Sequence, residues 1–339
     1  MPASKRSEGA RLTKGARNLK ARVPGTFLLA GLLLATAAGA QDYPGRAVRV
    51  IVPSSPGSGV DIVARIVTRR MTDALNNVQL VIDNRAGAAG VIGVQMAAKS
   101  ASDGYTLLFT GPSFTINASL SRKLPYDVVK DFAPVGQATT GQYVLVVHPS
   151  VTAASVKELV ALARARPGQL NYGSGGNGNS VHLAGELFKN LTQIDIVHVP
   201  YKGSGPALVD LVAGQIQMMF PNITAAVPHL KSGKLRGLAT TGETRSAVLP
   251  ELPTVIEAGV PGYVVTSWFG LLSPAGTPPN VIARLSAALG AAMGGKDMRD
   301  LLAGEGAEPA FGPPSAFGKL IAADVAIWAR VIKLAGLVQ

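Results

Sequence analysis

The sequence predicts an α/β protein in two lobes, on three observations. Short β-branched runs alternate with stretches whose apolar residues recur at helical spacing. The apolar runs are five or six residues long, the pattern of strands buried on both faces, which indicates mainly parallel sheets flanked by helices. An irregular, Pro-containing stretch at 123–135 separates the βα units into two groups.

In the first group, residues 47–52 read as a buried strand. A helix follows at 59–76, with Val60, Ile62, Val63, Ile66, Val67, Met71 and Leu75 at helical spacing. A strand at 78–82, a helix at 90–101 and a strand at 106–110 complete this group. The second group runs as strand 143–148, helix 155–166, strand 170–172, helix 180–191, strand 194–199, helix 206–213, strand 216–220, helix 225–232 and strand 235–240. The end of the chain differs in kind. A strand at 264–272 precedes helices at 280–293, 297–303 and 314–334, which either cap the second lobe or return to the first. No repeat with a fixed period is present.

The chain has 339 residues, is 47% hydrophobic, carries a net charge of +12 and contains no cysteine. That length suffices for two well-cored domains. Absence of Cys excludes disulfides, thiolate zinc sites, iron–sulfur clusters and cysteine nucleophiles. The charge is unevenly placed. Residues 1–40 hold seven basic side chains against Glu8, and the remaining 299 residues hold 25 basic and 19 acidic ones, so each part carries +6. A basic stretch, an apolar run at 23–39 and the small-x-small exit Ala38-Gly39-Ala40 describe a secretory signal peptide cleaved after Ala40. The alternative is a single membrane anchor, at the short end of what spans a bilayer and interrupted by Pro24 and Gly25. The first segment lacks an Arg-Arg pair, which favours the general secretory route. No Cys follows the exit, so a lipoprotein anchor is excluded. The charge after residue 40 forms no basic run interleaved with aromatics, which argues against nucleic acid as a partner and fits anionic small molecules.

The loops between strands and following helices are unusually uniform: Pro53-Ser-Ser-Pro-Gly-Ser-Gly59, Asn84-Arg-Ala-Gly-Ala-Ala-Gly90, Gly111-Pro-Ser-Phe-Thr115, Gly173-Ser-Gly-Gly-Asn-Gly-Asn-Ser180 and Pro200-Tyr-Lys-Gly-Ser-Gly205. Each places Gly with Ser, Thr or Asn directly before a helix. One such loop is an ordinary N-cap. Five of them, clustered at the carboxyl ends of strands, suggest a shared anion-binding cleft built from helix N-termini, close-approaching backbone and hydroxyls. Asp61, three residues after Ser58, has capping-box spacing; its alternatives are dipole stabilisation and contact with a ligand amine. Arg85 and Lys202 lie in two of these loops, where they either pair with a carboxylate or stay solvated.

Signs of catalysis are thin. Gly173-Ser-Gly-Gly-Asn-Gly178 satisfies a dinucleotide fingerprint, but Asp195 lies at the wrong end of the next strand to reach a ribose. Nucleophile-elbow, phosphate-loop and zincin motifs are missing, and the four histidines are scattered. No catalytic residue, metal site or cofactor is expected. The enzyme alternative is an exported α/β hydrolase using Ser174 or Ser180 with His182.

Beyond these loops, several motifs occur in a fixed order. They are Tyr43-Pro44, Val52-Pro-Ser-Ser-Pro-Gly-Ser-Gly-Val-Asp-Ile-Val-Ala-Arg65, Asn84-Arg-Ala-Gly-Ala-Ala-Gly-Val-Ile-Gly93 and Asp103-Gly-Tyr-Thr-Leu107. Further on come Asn171-Tyr-Gly-Ser174, His182-Leu-Ala-Gly-Glu-Leu-Phe188, Val199-Pro-Tyr-Lys-Gly203, Gly214-Gln-Ile216, Leu252-Pro-Thr-Val255 and Trp268-Phe-Gly-Leu-Leu-Ser-Pro-Ala-Gly-Thr-Pro278. In these motifs the chain resembles the Bug family of periplasmic solute receptors related to tripartite tricarboxylate transporters. The resemblance implies a two-lobed, periplasmic binding protein-like II (Venus flytrap) fold. Lobe 1 would be 41–141 with a return at 264–339, and lobe 2 would be 142–263.

The resemblance also implies an organic acid held between the lobes, chiefly by backbone amides at 55–59 and 87–90, and delivered by a monomer in the periplasm to membrane transporter subunits. A sensor kinase is the alternative partner. The candidate ligand-binding residues are Ser54, Ser55, Gly57, Ser58, Gly59 and Asp61 in the first loop, and Gly87, Ala88 and Gly90 in the second. Ser113 and Asn117 follow the third strand. Ser113 is expected on the opposite wall, with Ser174, Asn177, Ser180, Tyr201, Lys202 and Phe220. Ser54, Ser55 and Ser58 stand where this family more often has aromatic, Pro or Gly residues. Gln217, replacing a frequent acid, leads into Met218, Met219 and Phe220, from which an apolar wall and a ligand with a hydrophobic body are expected.

Overall fold

The computed structural model describes residues 43–339 apart from 121–122, 305–306 and 335–339. The signal segment expected at 1–40, with cleavage after Ala40, lies outside the described residues.

The first βα units follow from local sequence. β1 (Val48–Val52) is almost wholly apolar and buried, and it lies parallel between β2 (Leu80–Asn84) and β3 (Thr106–Thr110). α1 (Gly59–Ala74) buries Val63, Ala64, Val67 and Met71 against this sheet, and α2 (Val91–Ala98) covers the other face with Val94 and Ala97. α3 (Ser113–Leu120) starts directly after β3. Sequence reading leaves it in a loop because its apolar and small residues are buried without a polar stripe to mark the period.

β4 (Phe132–Gln142) was also not expected. It contains Pro134, Gly136 and Gly141, which weaken strand propensity, yet it pairs along its length with β10 (Thr266–Pro274). Tertiary pairing decides its conformation. α8 (Pro279–Met293), α9 (Lys296–Gly304), β11 (Glu308–Gly312) and α10 (Pro314–Leu334) finish the chain. The six-stranded sheet has the order β11-β4-β10-β3-β1-β2.

Between β4 and β10 the chain builds a second sheet from β5 (Val144–Val147), β6 (Asn171–Ser174), β7 (Val197–Pro200), β8 (Met218–Met219) and β9 (Arg236–Thr240), in the order β7-β6-β8-β5-β9. α4 (Val156–Ala165), α5 (Ser180–Thr192), α6 (Ser204–Val212) and α7 (Ile223–Lys231) flank it. The result is a two-lobed α/β fold.

Both sheets are mixed rather than mainly parallel. β10 runs antiparallel to β3 and β4, β11 antiparallel to β4, and β5 antiparallel to β8 and β9. Parallel neighbouring strands need a long crossover connection, usually a helix. β4 and β10 are instead connected through the other sheet, so no crossover helix sets their direction. α10 spans both lobes: Phe317 and Ile321 belong to a core of the first, Trp328 and Ile332 to that of the second.

Candidate functional site

A cavity of about 50 Å3 lies between the two sheets, lined by the loops after β1, β2 and β3 on one side and after β6, β7 and β8 on the other. A water needs roughly 10–15 Å3 on this measure, so the space holds a few water-sized groups. Strand carboxyl ends face it from both lobes, the usual ligand position in α/β sheets.

The first loop is braced from below. Gly57, at φ 76°, turns the chain, and its N–H donates to Asp61 Oδ2 at 2.9 Å. Ser58 Oγ donates to the Ser55 carbonyl at 2.9 Å rather than capping α1. Asp61 is buried and also accepts from Arg65 Nε at 3.1 Å and Asn84 Nδ2 at 2.9 Å. Asn84 Nδ2 reaches the Ser54 carbonyl as well, at 3.1 Å. Asp61 therefore ties the first loop to the second and does not line the cavity.

The second loop is strained. Gly87, Ala88, Ala89 and Gly90 have φ of 123°, 47°, 53° and 95°, four successive residues on the positive side. Left-handed alanines are held only where surroundings enforce them, at about 1–3 kcal/mol each. Here Asn117 Nδ2, buried behind the loop, donates to the Ala89 carbonyl at 3.1 Å. A Cβ on Gly93 would lie 2.7 Å from the Arg85 carbonyl oxygen and 2.9 Å from Pro53 Cα, so only glycine lets the two loops pack this closely. Arg85 turns to Asp83, Nε to Oδ1 2.8 Å, where both Arg49 and Arg85 hold the carboxyl below its ordinary range against the opposing effect of burial.

The opposite wall meets these loops directly. Ser113 Oγ accepts from the Ser180 N–H and from Asn179 Nδ2, both at 3.2 Å, while Asn179 caps α5 by accepting from the Val181 N–H at 2.9 Å. The Gly205 N–H donates to Ser55 Oγ at 3.3 Å. Behind this wall Ser174 Oγ lies 2.6 Å from His198 Nε2 and accepts from the Gly176 N–H at 3.1 Å. The His198 and His182 rings lie tilted by 38° to each other, with centroids 4.1 Å apart. Burial, then the neighbouring His182 and Lys189, pushes the His198 pKa down to about 3. Tyr201 donates to Asp210 Oδ2 at 2.8 Å, and burial followed by that carboxylate pushes its hydroxyl up to about 12.

Of the expected residues, Ser54, Ser58, Gly59, Gly87, Gly90, Ser113, Ser180 and Lys202 line the cavity. The others do not. Ser55 joins the lobes, and Gly57, Asp61, Ala88 and Asn117 shape the loops. Ser174 is buried with His198, and Tyr201 is engaged by Asp210. Asn177 is exposed, while Phe220 is fully buried against Phe188 and Tyr263. Met218 and Met219 share that core, so these three side chains fill the second lobe and do not form the expected apolar wall.

The hydrolase arrangement is also not assembled. Ser174 pairs with His198 but has no exposure, and the ring of His182 accepts from the Gly178 N–H through Nδ1, 3.2 Å away. Tyr143, Asn179, Gly203, Ser204, Asn222 and Phe269 line the cavity without having been picked out. Asn222 was legible as another small polar residue between a strand and a helix. Tyr143 and Phe269 come with the interlobe strands and carry no local signal. Lys202 is the charged side chain among the described lining residues, and no carboxylate lines the cavity.

Two α/β lobes joined by long strands, with a cavity lined by glycine-rich loops between their strand ends, define a solute-binding receptor of the periplasmic binding protein class. The chain belongs to the tripartite tricarboxylate transporter family receptors, whose family model matches residues 63–337. It is 38% identical to protein BugT of Bordetella pertussis over 320 residues, covering 92% of this chain and 98% of BugT. Among solved structures it is similar to R. palustris Rpa4515 with adipate, at 38% identity and a TM-score of 0.84, covering 87% of this chain and 99% of that one. It is also similar to MatC from Rhodopseudomonas palustris with bound malate, at 32% identity and a TM-score of 0.81, covering 86% and 100%. The family expected from the ordered motifs is the family found.

Proposed function

We propose that this chain is a periplasmic receptor that closes its lobes on a short-chain organic acid and presents it, as a monomer, to the membrane subunits of a tripartite tricarboxylate-type transporter. One observation carries the reading: the cavity is walled by glycine-rich loops and hydroxyls, with Lys202 as its charged side chain and no acid facing it. Backbone N–H groups and a cation neutralise a carboxylate without covalent chemistry. Among the described residues Ser174 pairs with His198 away from solvent, which supports a binding role over a hydrolytic one. Relatives holding adipate and malate support the acid class.

In this reading the mature chain begins at Gln41 after general secretion. Lobe 1 comprises 41–141 and 264–339, lobe 2 comprises 142–263 with the end of α10 packed against it, and closure of the lobes buries the ligand. Candidate contacts are Ser54, Ser58, Gly59, Gly87, Gly90, Ser113, Ser180 and Lys202. Thermal unfolding of the chain from Gln41 onward, against mono-, di- and tricarboxylates of three to eight carbons and aromatic acids, tests the reading. One or a few acids should stabilise the protein, by about 2.7 kcal/mol at a hundred times the dissociation constant. Stabilisation by none of them contradicts it.

A further inference from the structure

We propose that Asn222 is a specificity-determining residue, whose side-chain amide reads a second hydrogen-bond acceptor on the bound acid, distinct from the carboxylate held by the glycine loops. The inference rests on the receptor reading above. Asn222 occupies the N-cap position of α7, where an Asn oxygen ordinarily accepts from the first turn, yet it makes no side-chain cap bond. Its Nδ2 is buried and makes no hydrogen bond, although the Tyr143 hydroxyl is close enough to be influenced by it, and the residue lines the cavity. A buried donor left without an acceptor is unfavourable and rare, so a partner belongs there.

The amide is also held in place. Its backbone bridges to Tyr143, and across the cavity a Cβ on Gly59 would lie 2.8 Å from Asn222 Cβ and 2.9 Å from Oδ1. Glycine at the first residue of α1 therefore makes room for this side chain when the lobes meet. A neutral, directional donor matches a carboxylate, carbonyl or hydroxyl oxygen and offers nothing to an alkyl end. The ligand class is accordingly an acid with a second oxygen function, in place of one with a purely hydrophobic body.

Calorimetric titration of the wild type, Asn222→Ala and Asn222→Ser with two matched pairs, succinate against butyrate and adipate against hexanoate, tests this. The wild type should prefer the dicarboxylate of at least one pair by tenfold or more, because an unpaired polar group rejects the analogue that lacks its partner. Asn222→Ala should reduce that preference to within threefold while changing monocarboxylate affinity less than twofold. Asn222→Ser should behave likewise, and ligand-free melting temperatures should match the wild type, since no cap bond is lost. An unchanged preference in the variants, equal weakening of both members of a pair, or no preference in the wild type overturns the assignment of Asn222 and leaves the receptor reading intact. Failure of the wild type to bind any of the four acids overturns the assignment, and failure of the wider acid panel overturns the receptor reading itself.

Discussion

Asn117 Nδ2 donates to the carbonyl oxygen of Ala89, 3.1 Å away, and so braces from behind a turn in which Gly87, Ala88, Ala89 and Gly90 all have positive φ. The side chain never reaches the cavity, yet it fixes the backbone that does. Preorganisation of this kind moves the energetic cost of ordering a binding loop from the moment of capture to the moment of folding. It explains how a residue behind the wall bears on affinity.

Asn117→Ala removes the brace. Loss of a buried hydrogen bond that leaves a carbonyl unpaired costs about 1–3 kcal/mol. Melting temperature should fall and acid affinity should drop about tenfold, measured by calorimetry. Unchanged affinity in the folded variant would show that the left-handed turn holds itself.

Ser55 and Gly205 meet where the two lobes touch, the Gly205 N–H donating to Ser55 Oγ at 3.3 Å. A Cβ on Gly205 would lie 2.4 Å from the Pro56 carbonyl oxygen, across the line where the lobes meet. Gly205→Ala should therefore weaken acid binding at least tenfold. The ligand-free protein should be as stable as the wild type or more so, because Ala is the better helix residue by up to about 1 kcal/mol. Equal loss of ligand-free stability and of affinity would place the clash within one lobe's own fold.

Acid stability carries the mark of the half-buried His198 imidazole. His198 stays neutral down to about pH 3 in the folded chain, through burial and then the neighbouring His182 and Lys189, whereas a free histidine protonates near 6.5. Between these values the unfolded chain binds the extra proton. Stability is complete above about pH 6.5 and falls as pH drops toward 3. Discounted for the half-buried ring, the loss is on the order of 1–2 kcal/mol. His198→Gln should flatten the wild-type fall in melting temperature between pH 7 and pH 4.5, and parallel curves would contradict this.

Much of the fold was legible because it is written locally. The strand at Thr106–Thr110 and the helix beginning at Gly59 fall where β-branched runs, apolar spacing and glycine loops put them. The directions of β4 and β10 were not legible, since each is set by pairing across residues far apart in the chain. The site divides in the same way. Ser58, Gly59, Gly87, Gly90, Ser113 and Ser180 sit in βα loops, where type and position mark them, and they line the cavity. Phe220 was misplaced because a two-residue strand, Met218–Met219, leaves the side chain after it in the core. Asp61 and Asn117 act one layer behind the cavity, a distance that residue type does not reveal.

The central claim is that the interlobe cavity captures one organic acid. Calorimetric titration of the chain from Gln41 onward, with the acid that most raises its melting temperature, measures this directly. One molecule should bind per chain, and Gly90→Val should abolish the heat, since φ at Gly90 is 95° and a Cβ there would lie 3.0 Å from the Pro53 carbonyl oxygen. Saturable binding that survives intact in a folded Gly90→Val variant, or no saturable binding by any acid, would contradict it.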